Sequence, residues 1–129
     1  MTITCIEDLR VLHQRRVPKM FYDYAESGSW TERTFRRNEE AFAEIRLRQR
    51  VAKDISQRSV AGTMLGESQR MPVALAPTGL TGMQHANGEI LAAQAAEAFG
   101  VPFTLSTMSI CSLEDVAEHT QNPFWFQLY

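Results

Sequence analysis

The sequence predicts an α/β fold: the first three strands of a (β/α)8 barrel, preceded by N-terminal helices. Two observations carry this. Residues 71–129 read strand–helix–strand–helix–strand with short connections, an order that requires parallel strands joined by right-handed crossovers. The first of these strands, Met71-Pro72-Val73-Ala74-Leu75-Ala76, is a run of small and β-branched apolar residues, the pattern of a strand covered on both faces. A doubly wound sheet shares the same local pattern. The expected division is a helical and hairpin extension over residues 1–70, then three strands and two helices of the barrel over residues 71–129.

Taken in order, Thr4-Cys5-Ile6-Glu7 reads as a capping box that opens a helix carrying Ile6, Leu9 and Leu12, bounded by Pro18. Met20, Phe21, Tyr22 and Tyr24 mark a short aromatic helix or turn, broken at Ser27-Gly28-Ser29. Ser29-Trp30-Thr31-Glu32 reads as a second capping box, opening a helix through Arg33, Arg36, Arg37, Phe42 and Ile45 whose charges form a solvated face with Glu39, Glu40 and Glu44. Leu47–Val51 and Ser59–Leu65 are expected to be the two strands of a hairpin.

The first barrel strand stops at Pro77, which has no backbone donor, and Gly79 and Gly82 follow. Asn87 is the expected cap of a helix over Ile90–Phe99, with Glu89 in its first turn and Gly100 at its end. Residues 101–107 form the second strand, Ser112-Leu113-Glu114-Asp115 caps a short helix through His119, and residues 124–129 form the third strand.

Composition narrows the function classes. Of 129 residues, 44% are hydrophobic and 22% charged, with a net charge of −2, which is globular and offers no basic footprint for a nucleic acid. Cys5 and Cys111 lie outside any CxxC spacing and read as buried thiols in a reducing compartment. No apolar stretch approaches the roughly 18 residues of a membrane span, and Glu7 and Asp8 stand where a signal peptide would be apolar. The expected location is the cytoplasm. The aromatic, strand-like run Phe124-Trp125-Phe126-Gln127-Leu128-Tyr129 raises the expectation that the domain continues beyond it.

His13, His85 and His119 lack metal-ligand spacing, and neither GxGxxG nor a Walker lysine occurs. The polar residues at strand ends are more informative. Thr78, Ser106, Gln127 and Tyr129 fall at or near the C-terminal ends of the three strands, and in a barrel those ends share the mouth where active sites are built. A hydroxyl, an amide and a phenol there suit the heteroatom edge of an aromatic cofactor or a small anion. They equally suit local backbone capping.

At these residues the chain resembles the FMN-dependent α-hydroxy-acid oxidases and dehydrogenases, a family acting on substrates such as glycolate, L-lactate and mandelate. The resemblance is carried in order by Phe21-Tyr22-Asp23-Tyr24, Thr34-Phe35-Arg36-Arg37-Asn38, Ala41-Phe42, Ala76-Pro77-Thr78-Gly79, Leu105-Ser106-Thr107 and Phe126-Gln127-Leu128-Tyr129. It implies FMN as cofactor and oxidation of a small L-2-hydroxy acid, lactate-like, to a 2-oxo acid. It further implies that Pro77, Thr78 and Gly79 lie against the flavin and that Ser106 and Gln127 hydrogen-bond it. Tyr24 would bind the substrate carboxylate, and Tyr129 would face the reacting carbon. Gly79 leans toward a dehydrogenase rather than an oxidase. The family's catalytic histidine and arginine belong to later strands, so no catalytic residue is expected in this chain and the 129 residues alone are expected to be inactive. The full-length protein is expected to be a homo-oligomer, with peripheral membrane association in some members. A non-catalytic assembly partner and another FMN-binding barrel, such as an isopentenyl diphosphate isomerase of the FMN type, are the alternatives.

Overall fold

A computed structural model describes residues 2–129. Internal packing divides the chain into two units, one ending at Gln57 and the other spanning Arg58–Tyr129.

The first unit is helical: α1 (Ile6–Arg16), α2 (Lys19–Glu26) and α3 (Arg33–Glu44). The cap of α1 sits one residue later than the sequence reading. Cys5 is the N-cap, and Asp8 rather than Glu7 reaches back. Its Oδ2 accepts from the Thr4 amide and hydroxyl, both at 2.8 Å, and from the Cys5 amide at 3.2 Å. These bonds hold the Asp8 carboxyl below its ordinary value. Glu7 instead pairs with Arg10 at 2.7 Å, and Arg10 also reaches Glu26 on α2 at 2.6 Å. Such exposed pairs contribute little, because solvent screens them. Packing adds Tyr22, the buried residue of α2, whose ring centroid lies 5.3 Å from that of His13.

The second capping box does not form. Glu32, not Ser29, is the N-cap of α3, and Trp30 and Glu32 both take the left-handed backbone with φ of 56°. Glu32 folds back so that its Oε1 accepts the Gly28 amide at 3.2 Å. A Ser-x-x-Glu spacing signals a cap only when the first residue is extended, and here the turn between Ser29 and Glu32 is spent on left-handed residues. Arg37 and Glu44 make a bidentate pair at 2.6 and 2.8 Å along the exposed face of α3, as the charge pattern predicts.

The second unit begins with a hairpin displaced from the expected one. Strand β1 (Gly62–Met64) pairs antiparallel with β2 (Glu67–Gln69), and Leu47–Val51 takes no part in a strand. The connection is Leu65-Gly66, with φ of 50° and 85°. Positive φ at both central residues matches the twist of a two-residue hairpin. Leu at the first of them is not a turn signal, which is why the sequence pointed elsewhere.

The parallel arrangement follows. The predicted first strand is reduced to a single parallel bridge, Leu75 with Phe103, in which the Leu75 amide donates to Pro102 O at 2.9 Å and Thr104 N donates to Leu75 O at 3.1 Å. Strand β3 (Thr104–Leu105) then pairs in parallel with β4 (Trp125–Phe126). The spatial order is therefore the chain order, with β3 between the Leu75 segment and β4. Between them run α4 (Thr81–Gln84), which the sequence did not announce, α5 (Gly88–Phe99) and α6 (Leu113–Glu118).

The helix ends mostly follow the residue chemistry. Gly100 closes α5 with φ of 85°, its amide donating to Ala96 O and Glu97 O. Ser112 and Asp115 form a true capping box on α6, with the Asp115 amide on Ser112 Oγ at 3.0 Å and the Ser112 amide on Asp115 Oδ2 at 3.1 Å, so two of the free amides at the helix start are satisfied. Asn87 occupies the N-cap of α5, but its backbone is left-handed and its side chain makes no capping bond. The core of this unit is Ile90, Ala93 and Ala96 of α5 against Phe103, Leu105 and Val116, with Phe124 packing edge-on to Phe103 at 6.2 Å.

Candidate functional site

Three of the predicted site residues are brought together in the second unit. Gly79 lies in the loop after the Leu75 segment, close beneath the loop that follows β3. A methyl group at Gly79 would come 3.0 Å from Met108 Cβ and 3.7 Å from Ser106 Oγ. The neighbouring Leu80 amide donates to Met108 O at 2.9 Å. Ser106 is buried at 2% exposure. Its Oγ accepts the Met108 amide at 3.1 Å and donates to Gln127 Oε1 at 3.3 Å. Gln127 is held in turn through its amide, on Leu105 O at 2.9 Å, and the Thr107 hydroxyl donates to Gln127 O. Thus the ends of three neighbouring parallel segments meet through Gly79, Ser106 and Gln127.

The other predicted residues behave differently. Pro77 is half-buried. Thr78 is exposed and turns its hydroxyl back onto Ala76 O at 3.4 Å, while Thr78 O accepts from the Thr81 hydroxyl at 3.0 Å. Tyr129 is 79% exposed. Tyr24 belongs to the other unit, on α2, and is 65% exposed.

Beside this cluster is a residue that sequence reasoning placed only as a first-turn charge. Glu89 is 2% exposed. Its Oε1 accepts two backbone amides, Gly82 N from the first turn of α4 at 2.9 Å and Ile110 N from the loop after β3 at 3.0 Å. Its Oε2 has no hydrogen-bond partner among the described residues. Burial pushes the Glu89 carboxyl up. The amides of Ile110 and Gly82, then its own amide and the Cys111 thiol, outweigh that, and the net position is below the ordinary carboxylate value of 4.5. Cys111 is held above the usual thiol range by burial first and by the Glu89 carboxylate second.

The sign of the consequence is fixed. A carboxyl whose folded value is depressed adds stability that is whole above its ordinary unfolded value and fades as pH falls through the lower folded value. Urea titrations at a series of pH values below about 5 should therefore show a smaller acid loss for Glu89→Gln than for the native protein. Equal acid losses would contradict the assignment.

A cleft of about 230 Å3 adjoins Ala76, Thr78 and Glu89. That is below the roughly 300–1,000 Å3 of pockets that hold drug-sized ligands, so it is not in itself a cofactor site. Among the described residues no group of three His, Cys, Asp or Glu side chains is placed to hold a metal ion, and no helix is long and apolar enough to cross a membrane.

A family model described as FMN-dependent dehydrogenase matches residues 13–129. The chain belongs to the FMN-dependent dehydrogenase family. Within this family it is 49% identical over 129 residues to an L-lactate dehydrogenase of Caulobacter sp. (strain K31), covering 100% of this chain and 34% of that protein. An L-lactate dehydrogenase of Vibrio cholerae serotype O1 (strain M66-2) is 47% identical, with the same coverage. Among solved structures, a soluble mutant of the membrane-associated (S)-mandelate dehydrogenase from Pseudomonas putida superposes with a TM-score of 0.94 at 41% identity, covering 99% of this chain and 37% of that one. A mandelate oxidase superposes with a TM-score of 0.91 at 31% identity, again covering 99% of this chain and 37% of its own. The chain therefore spans about a third of the length of the relatives it matches. The cofactor of an FMN-dependent dehydrogenase is FMN. The cluster fits such a group: a side-chain-free backbone at Gly79, a buried hydroxyl at Ser106, and on Gln127 an amide nitrogen left without a partner among the described residues.

Proposed function

We propose that this chain supplies the first three strands of a (β/α)8 barrel in an enzyme that oxidises a lactate-like L-2-hydroxy acid to the 2-oxo acid. In this reading residues 1–70 are the extension and residues 71–129 the barrel portion. The observation that carries it is the meeting of Gly79, Ser106 and Gln127 at the ends of adjacent parallel segments. When bound, FMN supplies acceptance of two electrons from the substrate.

The chain's own residues hold and orient. Pro77, Thr78 and Gly79 offer backbone to the flat face of the flavin, with Gly79 leaving close approach open. Ser106 and Gln127 meet its heteroatom edge, each already fixed by a backbone contact, so little freedom remains to be lost on binding. The exposed phenols of Tyr24 and Tyr129 are available to a substrate carboxylate and to the region of the reacting carbon. Proton abstraction and carboxylate pairing are assigned to residues outside this chain, and the 129 residues alone are inactive. Val73, Leu75, Phe126 and Leu128 stay 37–83% exposed along the parallel segments, which supports a surface that further barrel structure covers. The working protein is cytoplasmic and homo-oligomeric, with peripheral membrane association of the kind named for a monotopic membrane protein among the solved neighbours.

The test is anaerobic flavin reduction by the protein expressed from its complete coding sequence. L-lactate is expected to bleach the flavin faster than (S)-mandelate. A flavoprotein that neither substrate reduces would overturn the reaction proposed, and a stable product that binds no flavin would favour a non-catalytic assembly partner.

A further inference from the structure

We infer that Glu89 is a positioning residue: its carboxylate sets the spacing between the loop carrying Gly79 and the loop carrying Ser106, and so shapes the flavin site without touching it. This rests on the flavin-facing role proposed for those two loops. The geometry is specific. One oxygen, Oε1, receives the amide of Gly82 in the first turn of α4, into which the Gly79 loop runs, and the amide of Ile110 from the loop after β3, so neither the start of α4 nor that loop can shift without losing a charge-assisted bond. The side chain comes from the first turn of α5, where the helix field favours a carboxylate. It is 2% exposed, so little water competes for either bond.

The loops are close enough to need this clamp. A methyl at Gly82 would stand 2.7 Å from Ile110 Cβ and 3.1 Å from Glu89 Oε2. Further along, Leu80 N reaches Met108 O at 2.9 Å, and Met108 N reaches Ser106 Oγ at 3.1 Å. The path from Glu89 to the Ser106–Gln127 pair is thus a run of short contacts through both loops. Glu89 is bonded to neither Ser106 nor Gln127, which makes its role positional rather than catalytic.

The test compares Glu89→Ala, Glu89→Gln and the native protein, each expressed from its complete coding sequence, by amide hydrogen exchange without flavin and by FMN affinity from fluorescence quenching. Glutamine keeps an oxygen able to accept both amides. Glu89→Ala is expected to speed exchange in residues 79–82 and 106–110 together while the amides of Leu75 and Thr104 stay protected, and to weaken FMN binding by about tenfold or more. Glu89→Gln should restore loop protection and bring affinity back to within about threefold of native. Native-like loops in a folded Glu89→Ala, opened loops with FMN affinity within about twofold of native, or a Glu89→Gln as impaired as Glu89→Ala would each overturn the inference. If Glu89→Ala does not fold, Gly82→Ala carries the test, because its methyl would meet Ile110 Cβ at 2.7 Å and crowd the carboxylate, parting the start of α4 from the loop after β3; unchanged exchange and affinity there would overturn it. A native protein that binds no FMN would refute the proposed function, while the exchange comparison would still decide whether Glu89 clamps the loops.

Discussion

Leu105→Ala is expected to destabilise the second unit by about 2–5 kcal/mol, the range for emptying a fully buried leucine site. Leu105 is 1% exposed and sits at the centre of the cluster formed by Ile90, Ala93, Ala96, Phe103 and Val116. Two of these neighbours are alanines on α5, which have no longer side chain to move into the void. The residue is also the middle of the parallel ladder, its carbonyl accepting the Gln127 amide at 2.9 Å, and it directly precedes Ser106. Loss of packing there should therefore weaken flavin retention together with stability. The check is the shift in urea midpoint with the slope held constant, measured on the protein from its complete coding sequence. A loss below about 1 kcal/mol would mean that the cluster is not a close-packed core.

Gly88→Ala is the second large effect, with an expected cost of about 1–3 kcal/mol. On helix propensity alone the change should help, since alanine is favoured over glycine by about 1 kcal/mol within a helix. Here the added methyl would meet Thr81 Cγ2 at 2.8 Å and Thr81 O at 2.9 Å. A side-chain methyl can rotate away, but a backbone carbonyl cannot. The substitution must push the start of α5 off α4, and with it the carboxylate of Glu89 one residue later. Denaturant unfolding decides the sign: a stabilised Gly88→Ala would show that propensity wins and that the approach of the two helices is loose.

The parts of this fold legible in the sequence are those governed by local chemistry. Gly100 ends α5 because only glycine takes a φ of 85° without penalty, and Ser112 with Asp115 caps α6 through its own side chains. The parallel order of three segments followed from their short helical connections. Legibility failed where the backbone did something a side-chain pattern does not encode. The left-handed turn through Trp30 and Glu32 displaced the cap of α3. The Leu65-Gly66 turn placed the hairpin away from Leu47–Val51. The apolar run 71–76 was read as a full strand, yet a strand needs partners along its length, and among the described residues only the Leu75 position has one.

The site divides in the same way. Ser106 and Gln127 were readable as strand-end residues and Gly79 as a glycine of the loop after Pro77, and the structure brings the three together. The burial of Glu89 was not readable, because a carboxylate in the first turn of a helix looks the same whether it faces solvent or receives amides from another helix and a distant loop. Its partners are 7 and 21 residues away, a separation at which a single sequence holds no pattern.

The most direct measurement of the central claim is FMN affinity for the protein expressed from its complete coding sequence, set beside that of Gln127→Leu. Losing one hydrogen bond to a buried cofactor, with the Ser106 hydroxyl losing its acceptor, should weaken binding by about tenfold, which is roughly 1.4 kcal/mol. The account predicts a native protein that purifies with bound FMN and a folded Gln127→Leu that retains much less. A native protein without affinity for FMN, or a Gln127→Leu that binds it as tightly as native, would contradict the claim that these strand ends form part of the flavin site.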